Sequence, residues 1–498
     1  MGGVLILSVI FLASLANCQE GILHISDGQT EREFCIVHNH SWTPLAQSLD
    51  TAIEYPLVNL TSQLLCNSSG VTPDLVKGKA VVVMRGDCDF SQKALTAQEL
   101  GATTLLIASN QTLITPSANE SEYSKVTIPL ALMRYRNFLE AQQVFTGEMQ
   151  VKLYAPPQAK IDPSIAVMLI IAVMTVALGG FWSGASERDR LGQAHDDGGR
   201  GENKAESGEL FLYSPLKVVV LVLVMCGMLV LMYYFYNILV YVIIAIFCLA
   251  SANALFFCFD AVLDKIGCGT IRFSVRNWNF SVRSIILASV CIVIAVIWGV
   301  YRNEDRWIWI LQDILGIAFC LNFIKTISLS NFKICVILLS LLLLYDVFFV
   351  FITPFFTKNG VSIMVQVALG PDASGEKLPV VMRVPRFSGL AQNLCGMQFS
   401  ILGYGDIIVP GLLVAYCSRF DVWVNSRWKV YFISCCTAYL MGMIVTFTVM
   451  LLSGMGQPAL LYLVPFTLIT SAVVAGCRGE MRRFWTGTSY EREELREP

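Results

Sequence analysis

From residue 163 onward, apolar runs of about 18 to 22 residues recur between short charged segments, each long enough to cross the hydrocarbon of a bilayer as a helix. The windows are 163–183, 215–236, 238–259, 284–301, 307–327, 334–354, 396–417, 430–452 and 458–477, which makes nine expected spans. The second and third almost fuse around Asn237. One helix over 215–259 would be about 67 Å long at 1.5 Å per residue, so two spans are expected there. Composition agrees: 55% of residues are hydrophobic and only 14% charged, against about 25% charged in soluble domains. A disordered chain and a single soluble globule are excluded. The net charge of −2 removes the electrostatic case for a nucleic-acid partner, and membrane lipid is the surrounding the composition calls for.

The first 18 residues carry no charge, and Val4 to Leu15 form an apolar run followed by small residues, which reads as a signal peptide cleaved near Cys18. Residues 19–160 have soluble character and carry five N-x-[ST] sequons, at Asn39, Asn59, Asn67, Asn110 and Asn119, as a glycosylated luminal domain would. Cys35, Cys66 and Cys88 share that oxidising space, and their odd number leaves the pairing open. The β-branched run at 79–84, a helical segment at 90–100 and a second apolar run at 103–108 predict strand, helix, strand. The stretch Arg85-Gly-Asp-Cys-Asp-Phe90, with Lys93, Ala97, Gly101 and Ala102 downstream, resembles the protease-associated domain, a binding or regulatory module without catalytic groups. His38 and His40 are expected in a solvated loop rather than at a zinc site.

A luminal N-terminus and nine spans put the C-terminus in the cytosol. Lys and Arg then number 19 in cytosolic segments and six in luminal connections after the first span, as the positive-inside rule requires. A sixth sequon, Asn279, falls on the cytosolic side and should go unused. Segment 184–209, rich in Gly, Asp and Arg, is expected to be a flexible cytosolic linker.

A carboxylate at membrane depth is costly and marks a functional site. Asp313 lies about two turns inside its span, near charged residues 302–306, where a structural role competes with a catalytic one. Asp346 in the sixth span and Asp406 in the seventh stand at matching depth on helices of opposite direction. Held across a helix pair, two carboxyl groups can share a proton and one water, one acting as base while the other, protonated, hydrogen-bonds a scissile carbonyl. Gly403 and Gly405 leave room beside Asp406 for a neighbouring backbone. The competing reading is a proton- or cation-coupled transporter or channel using the same acids. No HExxH motif is present, and the one His beyond the ectodomain, His195, lies outside the apolar runs, which leaves aspartyl chemistry among the intramembrane hydrolases. Such chemistry needs water but neither metal nor organic cofactor.

Tyr345-Asp346, Gly403-Tyr404-Gly405-Asp406 and Gln457-Pro458-Ala459-Leu460, in that order on the sixth, seventh and ninth spans, resemble the YD, GxGD and PAL motifs of the presenilin and signal peptide peptidase aspartyl proteases. With the signal peptide and the ectodomain, the resemblance extends to the signal-peptide-peptidase-like proteases of the second branch and covers nearly the whole chain. It implies a multi-pass α-helical membrane protein of nine transmembrane helices with an N-terminal luminal α/β protease-associated domain. The expected layout is a signal peptide at 1–18, the ectodomain at 19–160, the protease domain at 161–477 with a luminal loop at 355–395, and a cytosolic tail at 478–498. The resemblance also implies Asp346 and Asp406 as the catalytic pair, with Tyr345, Gly403, Tyr404, Gly405, Gln457, Pro458, Ala459 and Leu460 shaping the site. Its implied partners are type II single-pass membrane proteins, often stubs left by ectodomain shedding, with a second copy of the chain a further candidate.

The family's expected compartments are the late endosome or lysosome and the plasma membrane. Two departures stand out: Tyr404 takes a position usually held by Leu or Phe in this branch, and Tyr490-Glu-Arg-Glu493 lacks the bulky apolar fourth residue of a lysosomal sorting signal. Finally, Leu378–Pro385 is a β-prone stretch between prolines, suited to a luminal hairpin or to pairing with an unwound substrate.

Overall fold

In a computed structural model the chain divides by its contacts into two units, Met1–Pro163 with Arg386–Gln398, and Ser164–Pro385 with Phe399–Pro498. The structure describes residues 18–156 apart from 41, 69, 111–112, 114–115, 117–123 and 146. Beyond these it describes 162–196, 210–212, 215–304 apart from 268–271 and 276–277, 307–357, 362–369, 378–387, 399–453 and 457–487. Residues 1–17 of the expected signal peptide, Asn119, residues 197–209 of the expected linker and the Tyr490 tail segment lie outside the described residues.

The first unit is a closed barrel of seven strands: β1 (Cys18–Ser26), β2 (Glu31–Asn39), β3 (Tyr55–Leu60), β4 (Ala80–Met84), β5 (Thr104–Ser109), β6 (Leu130–Arg134) and β7 (Gln150–Tyr154). The strand order is β1-β2-β6-β5-β4-β3-β7, and β7 returns to pair antiparallel with β1. Strands β3 to β6 run parallel, and β4 and β5 read as continuous apolar runs because both their faces are buried. One face packs on helix α1 (Phe90–Glu99) through Ala94 and Ala97; the other lines the barrel with Leu23, Ile25 and Ile36. A second helix, α2 (Tyr135–Val144), follows β6. The expected strand, helix, strand is thus β4, α1, β5.

Cys66 and Cys88 form a disulfide, and Cys35 is disulfide-bonded as well. Lys93, on α1, is fully buried, donating to the main-chain oxygen of Leu64, and burial pushes its pKa down. His38 corrects an expectation: it is fully buried on β2, edge-on to the His40 ring at 6.5 Å, because β2 is paired on both sides, by β1 and β6. Among the described residues no group of three or more His, Cys, Asp or Glu could hold a metal ion.

The second unit is helical. Its helices are α3 (Pro163–Asp196), α4 (Pro215–Tyr234), α5 (Tyr236–Ile266), α6 (Val282–Tyr301), α7 (Ile308–Thr326), α8 (Phe332–Val347), α9 (Tyr404–Trp423), α10 (Val430–Ser453), α11 (Leu460–Cys477) and α12 (Met481–Thr486). Among the described residues eight helices are long and apolar enough to cross a membrane. Helix α9, at 20 residues, has the length but carries Asp406, Arg419 and Asp421. The α4–α5 pair separates at Phe235, as two spans require.

Three boundaries differ from expectation. Residues 184–196 continue α3 instead of forming a linker, since Ala185, Glu187, Arg188, Arg190, Leu191 and Gln193 are good helix formers and Arg190 bonds Glu187 at 2.6 Å one turn back. The expected tail begins with α12, whose buried Phe484 ring packs against Phe332, Tyr416, Phe420 and Tyr431 at 4.5 to 5.3 Å. Within the window 396–417 the described chain is a strand from residue 399, and its helix runs later, to residue 423. A two-stranded antiparallel ladder joins β8 (Val381–Pro385) to β9 (Phe399–Gly403), and β9 leads straight into α9.

Candidate active site

Asp346 is the penultimate residue of α8 and is buried. The helix then widens into a π-helical turn over Phe348–Ile352 and a short 3-10 turn over Thr353–Phe355, and π-turns in α-helices collect at functional sites. Asp406 stands in the first turn of α9, not near its middle as expected, because residues 399–403 are extended. Both helices pack on α11, the helix that follows Gln457-Pro458-Ala459. The charge of Asp346 reaches the Asp406 carboxyl. The main-chain N–H of Leu460 donates towards the Asp346 carboxylate. Asp346 Oδ2, also buried, has no hydrogen-bond partner among the described residues. A buried acceptor of this kind is uncommon and calls for a functional or structural reason.

The remaining motif residues divide by task. A Cβ on Gly403 would sit 3.3 Å from Asp406 Oδ2, so the first glycine keeps side-chain atoms off the carboxylate. Gly405 is exposed and faces open space, leaving one side of the Asp406 backbone approachable. The Tyr345 ring packs tilted at 53° against Phe349 of the π-turn, 4.8 Å between centroids. Pro458 and Ala459 are buried ahead of α11, where their carbonyls accept the N–H groups of Leu461 and Tyr462 at 3.1 Å, so this proline does open a helix while holding the segment against the site. Gln457 bridges Ser453 at 3.1 Å and Tyr462 at 3.4 Å, bracing the turn between α10 and α11.

Tyr439, on α10, is a residue that sequence reasoning passed over. Pro410 sits four residues after Asp406 and has no N–H, so the Asp406 carbonyl loses its helical partner. The Tyr439 hydroxyl, on a fully buried side chain, donates to that carbonyl at 3.3 Å. The signal was available: a proline one turn past an intramembrane acid leaves a carbonyl that another helix must satisfy.

The β-prone stretch 378–385 contains β8, and both edges of that strand are taken. Along one edge it pairs with β9; along the other, Val381 O accepts from Gln312 Nε2 at 2.8 Å and Arg383 N–H donates to Asp313 Oδ1 at 3.0 Å. The expected substrate-pairing edge is therefore not on β8. Tyr404 N–H donates to Val380 O at 3.1 Å, which fixes the even-numbered residues 400 and 402 as those facing β8. Phe399, Ile401 and Gly403 thus turn their main-chain groups outward along β9, and Ile401 is exposed.

The ectodomain sequons differ among themselves. Asn59, Asn67 and Asn110 are exposed, and Asn59 Oδ1 accepts from Thr61 of its own sequon. Asn39 is buried, and its Nδ2, the atom a glycan would join, donates to Pro116 O at 3.1 Å.

Comparison with known proteins adds the decisive observation: residues 205–491 match the Peptidase_A22B family, described as signal peptide peptidase, and residues 53–140 match the PA domain. The chain belongs to the signal peptide peptidase family. It is 52% identical to human signal peptide peptidase-like 2A, over 97% of this chain and 92% of that protein. To mouse signal peptide peptidase-like 2A it is 50% identical, over 96% and 92%. To human signal peptide peptidase-like 2B it is 43% identical, over 98% and 83%. As a member of the signal peptide peptidase family it is a multi-pass intramembrane aspartic protease, a hydrolase, with an N-terminal protease-associated domain.

Proposed function

We propose that Asp346 and Asp406 are the catalytic pair of this protease and that it cuts the membrane-spanning segments of type II single-pass proteins. What supports the catalytic assignment is that the two acids sit where α8 and α9 both pack on α11, near enough for the charge of Asp346 to reach the Asp406 carboxyl. Burial in a low-dielectric site disfavours two charges, so the pair retains one proton as a unit. The ionised member takes a proton from water as the water attacks the scissile carbonyl; the protonated member donates a hydrogen bond to the carbonyl oxygen as charge develops there. The Leu460 N–H is directed towards the Asp346 carboxylate, and Oδ2, without a partner among the described residues, is left for that exchange.

A helix cannot be hydrolysed while its carbonyls are closed into i to i−4 bonds, so the substrate must unwind. The outward edge of β9 supplies main-chain partners at Phe399, Ile401 and Gly403, ending three residues before Asp406, and an unwound strand added there satisfies its own backbone groups at membrane depth. The open space beside Gly405 continues that path.

The signal peptide, the sequons at Asn59, Asn67, Asn110 and Asn119 and the basic bias of the opposite loops support a luminal, glycosylated N-terminus and a cytosolic C-terminus. The family resemblance in that orientation supports type II substrates, shed stubs among them, met in late endosomes, lysosomes or the plasma membrane. The test is a pair of tagged reporters sharing one spanning helix, one inserted as type II and one as type I. The reading predicts release of an intramembrane-cut fragment from the type II reporter; equal release from both contradicts the substrate class.

A further inference from the structure

Helix α7 carries Gln312 and Asp313, buried polar residues for which the protease reading has found no use. Both reach the outer edge of β8: Gln312 Nε2 donates to Val381 O at 2.8 Å, and Asp313 Oδ1 accepts from Arg383 N–H at 3.0 Å. These are main-chain groups two residues apart on the same side of one strand, the spacing at which a strand partner would meet them. Two adjacent side chains of a helix therefore do the work of a third strand. The Gln312 main-chain oxygen accepts in turn from the Tyr404 hydroxyl at 3.1 Å, while Tyr404 N–H reaches back to Val380 O at 3.1 Å. One turn along α7, Gly316 is the notch for that ring: a Cβ there would lie 1.9 Å from the Tyr404 hydroxyl oxygen. The Tyr404 ring is thus matched by a bare backbone opposite it. Tyr404 is the first residue of α9, and Asp406 follows two residues later.

We propose that Gln312 and Asp313 are positioning residues, a polar clamp that fixes the β8–β9 ladder and, through Tyr404, the first turn of α9 that presents Asp406. The clamp touches no reacting atom. It sets where Asp406 and the outward edge of β9 stand relative to each other, and so which peptide bond is presented. Asp313 accepts the Arg383 N–H, and an amide oxygen keeps that bond while giving up the carboxylate's charge near the buried Arg383 side chain. This inference rests on Asp406 being catalytic, and the controls separate the two.

The test uses the full-length protein purified in detergent with a tagged type II single-pass reporter, comparing wild type with Asp313→Asn, Asp313→Leu, Gln312→Met and Asp406→Asn. Each preparation is checked by its melting temperature, and the cleaved bonds are mapped by mass spectrometry. Asp313→Asn is expected to keep kcat within a factor of about three, because its oxygen still accepts the Arg383 N–H. Asp313→Leu and Gln312→Met should lower kcat at least about tenfold with KM much less affected, and should shift or spread the scissile bonds, the signature of a mispositioned group. If Asp313→Leu does not fold, the near-isosteric Gln312→Met carries the same prediction. Wild-type kcat and unchanged scissile bonds in a folded Asp313→Leu or Gln312→Met overturn the clamp. Asp313→Asn as silent as Asp406→Asn overturns it too, because the carboxylate itself would then be required. Full cleavage by Asp406→Asn removes the catalytic reading on which the clamp depends.

Discussion

Pro410 and Tyr439 show how a single backbone atom is managed at a site of this kind. The proline withholds the N–H that the Asp406 carbonyl would accept in an uninterrupted helix, and the tyrosine hydroxyl of α10 replaces it. Tyr439→Phe leaves that carbonyl unsatisfied in a buried setting, at a cost of about 1–3 kcal/mol. Pro410→Ala returns an N–H at the right place, so in the double variant much of the loss should be recovered. Melting temperature and cleavage rate of the two single variants and the double variant measure the coupling. Strictly additive losses contradict the account, which requires non-additivity of at least about 0.5 kcal/mol. At this scale the sequence was readable where a residue was chemically out of place: acids in apolar runs, glycines beside one of them. It was not readable where the partner is remote. Asp313 looked interfacial because its mate, the Arg383 N–H, is 70 positions away and is a main-chain group that no residue type announces.

Among the elements, β9 was the hardest to foresee. Phe-Ser-Ile-Leu-Gly is apolar enough to extend a spanning window, and hydropathy does not distinguish a buried strand from a helix over so short a run. The strand moves Asp406 from mid-helix to the first turn of α9, where the chain has just left an extended segment with no strand partner on one edge among the described residues. The β8 stretch was recognisable from its valines and flanking prolines, but which of its edges is occupied depends on α7. A proline at position 401 removes an outward N–H while leaving the β8 ladder its partners, and proline is tolerated on such an edge. Ile401→Pro should therefore fold with a near-normal melting temperature and lose at least about tenfold in cleavage of the type II reporter. Val381→Pro, whose N–H lies on the opposite edge of the ladder, is the comparison. Loss in Val381→Pro with wild-type cleavage in Ile401→Pro would contradict substrate addition to β9.

At the scale of the whole chain, the division into an N-terminal domain and a helical unit was legible from hydropathy, and strand, helix, strand within the N-terminal domain from local pattern. The barrel was not: its closing pair sets His24 beside Lys152, a separation that local periodicity cannot express. The same remoteness hid the docking of Phe484, since an aromatic pair, Phe484-Trp485, in a charged tail carries no sign of its partners on α8, α9 and α10. The two units divide the chemistry: the described residues hold no group of three or more His, Cys, Asp or Glu fit for a metal ion, and Asp346 and Asp406 lie in the helical unit. The central claim is that Asp346 and Asp406 act as one catalytic pair, and one measurement reaches it directly. Wild type, Asp346→Ala and Asp406→Ala are expressed at matched levels with a tagged type II membrane stub, and the released fragment is quantified. The account predicts that each substitution alone abolishes release; cleavage that persists in both variants would contradict it.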